Sequence, residues 1–205
     1  MASQEPTTTS QNLTTTSTPT RRPYHGSCHC GFTKYICYIT LPPPLVTANP
    51  PTPTSTIRIR KCNCSTCHKM SFFHLRLLNS PADFYLISPL SPTTELSDYV
   101  CFDERIHWYF CPKCGVRYFA FNGESEVVEV DIPVAEKGEE EVERRKVWKP
   151  KTEGWIEKET GYLSVNAVTL EPGQEGLDLR EWIAYLDMRG EEEARMGRPH
   201  DGGIY

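Results

Sequence analysis

Ile106-His107-Trp108-Tyr109-Phe110-Cys111-Pro112-Lys113-Cys114-Gly115-Val116-Arg117-Tyr118-Phe119-Ala120-Phe121 places two short apolar runs on either side of a cysteine turn. Ile106–Phe110 and Val116–Phe121 have the length and the aromatic content of strands. Between them, Pro112 pre-sets the first turn position and Gly115 tolerates the left-handed conformation just after the second cysteine. Such a turn points both thiolates at one metal ion and aims backbone N–H groups at the sulfurs. Runs of the same kind recur in both directions. Phe32–Ile39 alternates, as does Ile57-Arg58-Ile59-Arg60, and Ser71–Leu78, Phe84–Ile87, Leu96–Phe102, Val127–Ile132 and Gly161–Leu170 read as further strands. Their close spacing predicts a mainly β domain of short antiparallel strands in paired sheets, with few helices. Two helical pieces are expected, a short exposed one in the charged stretch Glu139–Lys146 and a turn or two within Leu177–Leu186.

The 205 residues suffice for one domain with tails. Residues 1–23 are rich in Thr and Ser and read as a disordered tail, and the domain is expected to span residues 24–188. Within it, Leu41–Thr56 is a Pro/Thr-rich exposed insertion and residues 133–160 form a charged, irregular segment. Residues 189–205 read as an irregular tail. The net charge of −5 argues against nucleic acid or anionic lipid as a partner and for a small molecule or a protein, with a small-molecule substrate the expectation. No run is apolar enough for a signal sequence or a membrane span, so the reducing cytoplasm is the expected compartment. There, clustered cysteines bind metal more often than they form disulfides.

Seven of the nine cysteines are clustered: Cys28 with Cys30, then Cys62, Cys64 and Cys67, then Cys111 with Cys114. Seven thiolates make one full tetrahedral zinc site and a second with three ligands, which leaves a coordination position for water or substrate. Residues i and i+2 of a strand face the same way, so Cys28 and Cys30 can share a metal. That pair and Cys111–Cys114 each need two more ligands, and each can supply the other. The triplet Cys62-Asn63-Cys64-Ser65-Thr66-Cys67 converges on a common centre, either open or closed by a fourth ligand from His68, His74, His29, Cys101 or Cys37. An iron–sulfur cluster fits less well because it asks for four cysteines. Cys37 and Cys101 sit in apolar strand patterns as small buried hydrophobes. Trp108, Tyr109 and Phe110 are most simply core aromatics, His68 a supporting or exposed residue, and Arg58, Arg60, Lys61, Lys69 and Arg76 exposed strand residues.

With these residues placed, the chain resembles the glutathione-dependent formaldehyde-activating enzyme family, which includes centromere protein V. The resemblance lies in Gly26-Ser27-Cys28-His29-Cys30-Gly31, Cys62-Asn63-Cys64-Ser65-Thr66-Cys67-His68-Lys69 and Tyr109-Phe110-Cys111-Pro112-Lys113-Cys114-Gly115, in the family's order and over roughly Tyr24–Ile132. It implies an Mss4-like zinc-stabilised β fold. It further implies a structural zinc on Cys28, Cys30, Cys111 and Cys114 and a catalytic zinc on Cys62, Cys64 and Cys67. Two features depart from the family pattern. Leu41–Thr56 is inserted, and Lys69-Met70-Ser71-Phe72-Phe73 is bulkier than the small stretch that usually follows the triplet. The segment Tyr162–Ala167 is similar to that of fungal members.

The activity this implies is that of a carbon–sulfur lyase acting on a glutathione–aldehyde adduct, as an S-(hydroxymethyl)glutathione synthase does with formaldehyde. Two alternatives stand beside it. One is a zinc-stabilised binding module without turnover, and the other is a lyase that uses a thiol other than glutathione.

Overall fold

The computed structural model describes residues 18–43, 56–101, 103–134, 141–190, 195–196 and 199. The chain runs through β1 (Thr20–Ser27), β2 (Lys34–Leu41), β3 (Arg58–Cys62), α1 (Ser65–Met70), β4 (Phe73–Arg76), α2 (Ser80–Asp83), β5 (Phe84–Ser88) and α3 (Pro92–Glu95). It continues through β6 (Ser97–Val100), β7 (His107–Phe110), β8 (Arg117–Asn122), β9 (Ser125–Val134), β10 (Glu141–Pro150), β11 (Tyr162–Asn166), β12 (Ile183–Leu186) and β13 (Arg195–Met196). The predicted mainly β class is what the chain adopts. One sheet has the order β1-β2-β5-β10-β9 and the other β13-β12-β3-β4-β11-β8-β7-β6. Every neighbouring pair is antiparallel except β12 with β3. No helix among the described residues is long and apolar enough to cross a membrane.

Period-two alternation sorts the larger sheet into two unlike faces. Ile59, Leu75, Leu163, Val165, Phe119, Phe121 and Tyr109 are buried on its inner face. There they meet Tyr35, Cys37, Ile39, Phe84, Leu86 and Trp148 of the five-stranded sheet. Aromatic rings cross the gap: Phe84 to Phe119 at 5.3 Å, Phe119 to Trp148 at 5.6 Å and Phe121 to Trp148 at 5.0 Å between centroids. Cys37 is fully buried in this layer, as its strand pattern predicts. The outer face of the larger sheet is chemically different. It carries Arg58, Arg60 and Cys62 on β3, His74 and Arg76 on β4, Tyr162 and Ser164 on β11, Ala120 on β8 and Trp108 on β7. Register places them side by side, with Arg60 opposite His74, Asn166 opposite His74, Ser164 opposite Ala120 and Ala120 opposite Trp108.

The structure corrects several boundaries. Glu141–Pro150 is a strand, not a helix, and pairs with β9 residue for residue from Glu141–Val134 to Pro150–Ser125. Glu and Lys favour a helix locally, but the β-branched partner strand and the anchors Val147 and Trp148 decide the outcome. Much of the segment 133–160 is therefore regular structure. Strand β1 begins at Thr20, inside the stretch read as a disordered tail, because its backbone pairs with β2. The expected helix in Leu177–Leu186 reduces to a 3-10 turn at Arg180–Trp182 followed by β12. In the region read as a C-terminal tail, Arg195 and Met196 pair with β12. Most of the insertion Leu41–Thr56 and most of the first 23 residues lie outside the described residues.

Candidate metal centres and the cavity beside them

The turn after β1 carries Cys28 and Cys30, and the turn between β7 and β8 carries Cys111 and Cys114. Gly31 and Gly115 follow the second cysteine of each with φ of 72° and 74°. A Cβ at either glycine would meet nothing, so the requirement is conformational. The turns close with Gly31 N–H donating to the Cys28 carbonyl and Gly115 N–H to the Cys111 carbonyl, both at 2.9 Å. All four sulfurs lie within 4.8 Å of one another. Cys28 to Cys30 and Cys30 to Cys111 are each 3.6 Å. Metal–sulfur bonds of about 2.3 Å in a tetrahedron put sulfurs about 3.8 Å apart, so the donor set fits a four-thiolate centre. These separations are far beyond the roughly 2 Å of a disulfide.

Backbone amides turn toward the sulfurs, as Thr33 N–H does to Cys28 at 3.2 Å. At Cys114 burial opposes ionisation, yet the Val116 and Cys30 N–H groups and the neighbouring thiols bring its pKa down to about 6. Beside it, burial pushes Cys111 up to about 12. Adjacent thiols cannot all ionise unless a cation offsets their charge, and a bound metal supplies that cation.

The triplet sits where β3 ends and α1 begins. Cys62 closes the strand. Cys64 is the N-cap of α1, its sulfur accepting the Cys67 N–H at 3.4 Å, and the Cys62 sulfur accepts the Cys64 N–H at 3.4 Å. Ser71 ends the helix in the left-handed conformation with φ of 49°, its N–H bonding to the last carbonyls. Asn63 ties the triplet to the segment after β12, donating to Asp187 at 2.6 Å and accepting the Met188 N–H at 2.7 Å. The three sulfurs lie within 4.8 Å of one another, and among the described residues no fourth Cys, His, Asp or Glu joins that set.

His74 comes nearest. Its Nε2 is 3.0 Å from the Cys67 sulfur and its Nδ1 is 2.8 Å from the Ser164 hydroxyl. Burial first, then Arg76 and Arg60, hold its pKa down to about 3, so the ring is neutral. Phe72 and Trp108 wall it in at 4.8 and 6.0 Å between centroids. The other expected candidates stand elsewhere. His29 is exposed, and Cys101 is half-buried against the cluster of Cys67, Phe72, Trp108 and Ala120 without joining the set of sulfurs. His68 lines a small cleft of about 160 Å³ on one flank of the triplet, with Lys61, Ser71, Phe72 and Phe73.

On the other flank opens a larger cavity of about 560 Å³, within the size range of small-molecule sites. The triplet forms part of its wall with Arg60, Ser65, His74, Arg76, Trp108, Tyr162 and Leu186. Trp108 is thus a cavity residue as well as a core one. Arg58 and Arg76, expected to be exposed, are only 3% and 5% exposed. They share the Oε1 of Glu157, Arg58 at 3.1 Å and Arg76 more closely, and Arg76 also lies 3.8 Å over the Tyr162 ring. The signal for this wall was present in the sequence, since Arg58, Arg60 and Cys62 alternate along one strand. Its partners Tyr162, Ser164 and Glu157 lie about a hundred residues away and carry no local mark.

Comparison of the chain with protein-family models, curated proteins and solved structures found no match.

Proposed function

We propose that this protein is a zinc-dependent carbon–sulfur lyase that joins a thiol to an aldehyde and cleaves the same adduct, in the manner of an S-(hydroxymethyl)glutathione synthase. The observation that carries this reading is the triplet of thiols, joined by no fourth ligand among the described residues and set in the wall of a ligand-sized cavity. Cys62, Cys64 and Cys67 would hold the zinc at the cavity, and Cys28, Cys30, Cys111 and Cys114 a second, structural zinc. Zinc held by these three thiolates would lower the pKa of a thiol bound beside them and so supply the attacking sulfur as a thiolate at neutral pH.

The chain's own residues do the remaining work. His74, neutral and fixed between Cys67 and Ser164, holds Cys67 in one orientation. Trp108, Tyr162 and Leu186 offer the aldehyde an apolar wall. As the sulfur–carbon bond forms, the carbonyl electron pair moves to oxygen, which takes up the proton that the thiol gives up. Ser65 and Tyr162 are the hydroxyl donors lining the cavity that steady that oxygen. Bringing the two reactants together in one enclosure supplies much of the acceleration. Glutathione with formaldehyde is the reading the family resemblance favours, and another thiol in the same cavity follows the same chemistry.

The test is the exchange rate between free glutathione and its hydroxymethyl adduct, followed by magnetisation transfer at chemical equilibrium. Catalysed exchange that disappears in Cys64→Ser is expected. Exchange no faster than in buffer sinks the lyase. One observation favours a second reading, a closed centre in a binding module, namely the 3.0 Å contact of His74 Nε2 with Cys67. X-ray absorption of the zinc-loaded protein separates the two, since a ring nitrogen bound at the triplet would leave no place for a thiol.

A further inference from the structure

The five-stranded sheet buries residues on both of its faces. On β2, Tyr35 and Cys37 belong to the core between the sheets, so period two sets Ile36 on the opposite side, yet Ile36 is 0% exposed. The β9–β10 hairpin lies over that side. Strand β10 pairs with β9 along its whole length but meets β5 only at Trp148 opposite Leu86. The rest of the hairpin is a two-stranded arm. Its Ile132 is only 2% exposed and borders the same cavity as Ile36.

That cavity, between arm and sheet, measures about 420 Å³, within the size range of small-molecule sites. Ile36 and Ile87 of the sheet and Ile132, Pro133 and Val134 of the arm give it an apolar wall. No cysteine lines it, and it shares no residue with the cavity beside the triplet. Its polar rim holds His25, Ser27, Lys34, Arg145, Glu171 and Gln174. Most of these groups are engaged within the protein. Arg145 pairs with Glu143 at 2.6 Å, and Ser27 donates to Glu171. The Gln174 amide accepts the His25 N–H at 2.8 Å and donates to the His25 carbonyl at 3.0 Å. Two groups stay unused. Lys34 has no hydrogen-bond or ion-pair partner, and the His25 ring no hydrogen-bond partner, among the described residues. Burial lowers the pKa of His25, and its neutral ring still carries one N–H donor.

We infer that this cavity binds an aliphatic monocarboxylate, its chain on the isoleucines of sheet and arm and its carboxylate against Lys34 and the His25 ring. An apolar wall with one unpaired cation at its rim matches a ligand with an apolar chain and a single negative charge. A neutral chain would leave Lys34 unpaired, and a second negative charge would meet Glu171.

Methyl NMR of the full chain, titrated separately with butyrate, hexanoate and hexanol, reads the site directly. Saturable shifts are expected at the Ile36, Ile87 and Ile132 methyls. Hexanoate is expected to bind about tenfold more tightly than butyrate, the worth of two buried methylenes. Lys34→Met is expected to weaken hexanoate about threefold, the worth of an exposed charge pair, and to leave hexanol unchanged. Lys34 is exposed and unpaired, so the variant should fold as the native chain does. Absence of saturable shifts at the three isoleucines overturns the site. A response confined to Leu186 and Met188, which line the cavity beside the triplet, overturns it equally. Equal affinity for the two acids overturns the burial of the chain. Hexanoate affinity unchanged in Lys34→Met overturns the placement of the carboxylate.

Discussion

A serine at position 64 separates two roles of one side chain. Serine is a good N-cap, so the start of α1 is preserved, whereas a neutral hydroxyl is a poor replacement for a thiolate on a soft metal. Cys64→Ser is therefore expected to bind one metal ion per chain against the two proposed for the native chain, with little change in melting temperature. Elemental analysis checks the first and calorimetry the second, and two metals retained would remove Cys64 from the centre. His74 acts one step further out. Its ring touches Cys67 on one side and Ser164 on the other, and loss of such an outer partner commonly weakens metal binding about 10–100-fold. His74→Ala should show that loss at the triplet in a chelator competition, with the four-thiol centre unaffected. Ser164→Ala should shift it in the same direction by less. At this scale the cysteines were legible from spacing, and His74 stood among several equal candidates. Which histidine meets the triplet depends on β4 lying beside β3, and the local sequence does not encode that.

Strand β3 shows what an element can and cannot announce. Its alternation of isoleucine and arginine is visible in Ile57-Arg58-Ile59-Arg60 and separates a core face from another face. It does not say that the second face will be covered. The covering comes from the segment between β10 and β11, whose Glu157 reaches Arg58 and Arg76. Removing that one carboxylate leaves two guanidinium groups buried without their shared counter-ion. Glu157→Gln is expected to destabilise the fold by about 3 kcal/mol, the cost of breaking a buried ion pair from one side. Denaturant unfolding measures it, and a loss below about 1 kcal/mol would mean that water already reaches the pair. Strand β10 makes the complementary point. Its charged first half has no apolar period of its own, so pairing with β9 and the burial of Trp148 fix its conformation, not its propensity.

Across the whole molecule, the four-thiol centre joins the two sheets. Cys28 and Cys30 follow β1 of the five-stranded sheet, while Cys111 and Cys114 lie between β7 and β8 of the eight-stranded one. The Cys30–Cys111 contact spans 81 residues of sequence. Metal bound there adds its binding free energy to folding. Cys114→Ser is expected to cost several kcal/mol, seen as a fall of about 10 °C or more in Tm, unlike Cys64→Ser. An unchanged Tm would count against the pairing of these four cysteines. The sequence by itself determined the β class, the two kinds of cysteine turn and, in alternating strands such as β3, which residues share a face. These follow from period-two alternation and from the backbone demands of proline and glycine, which act over a few residues. Only the tertiary structure decided that the first and last cysteine pairs converge, that no fourth ligand among the described residues joins the triplet, and that Arg76 is buried in the wall of a cavity beside it. Those facts depend on what other strands and loops lie against a face, and such contacts join residues that share no local pattern.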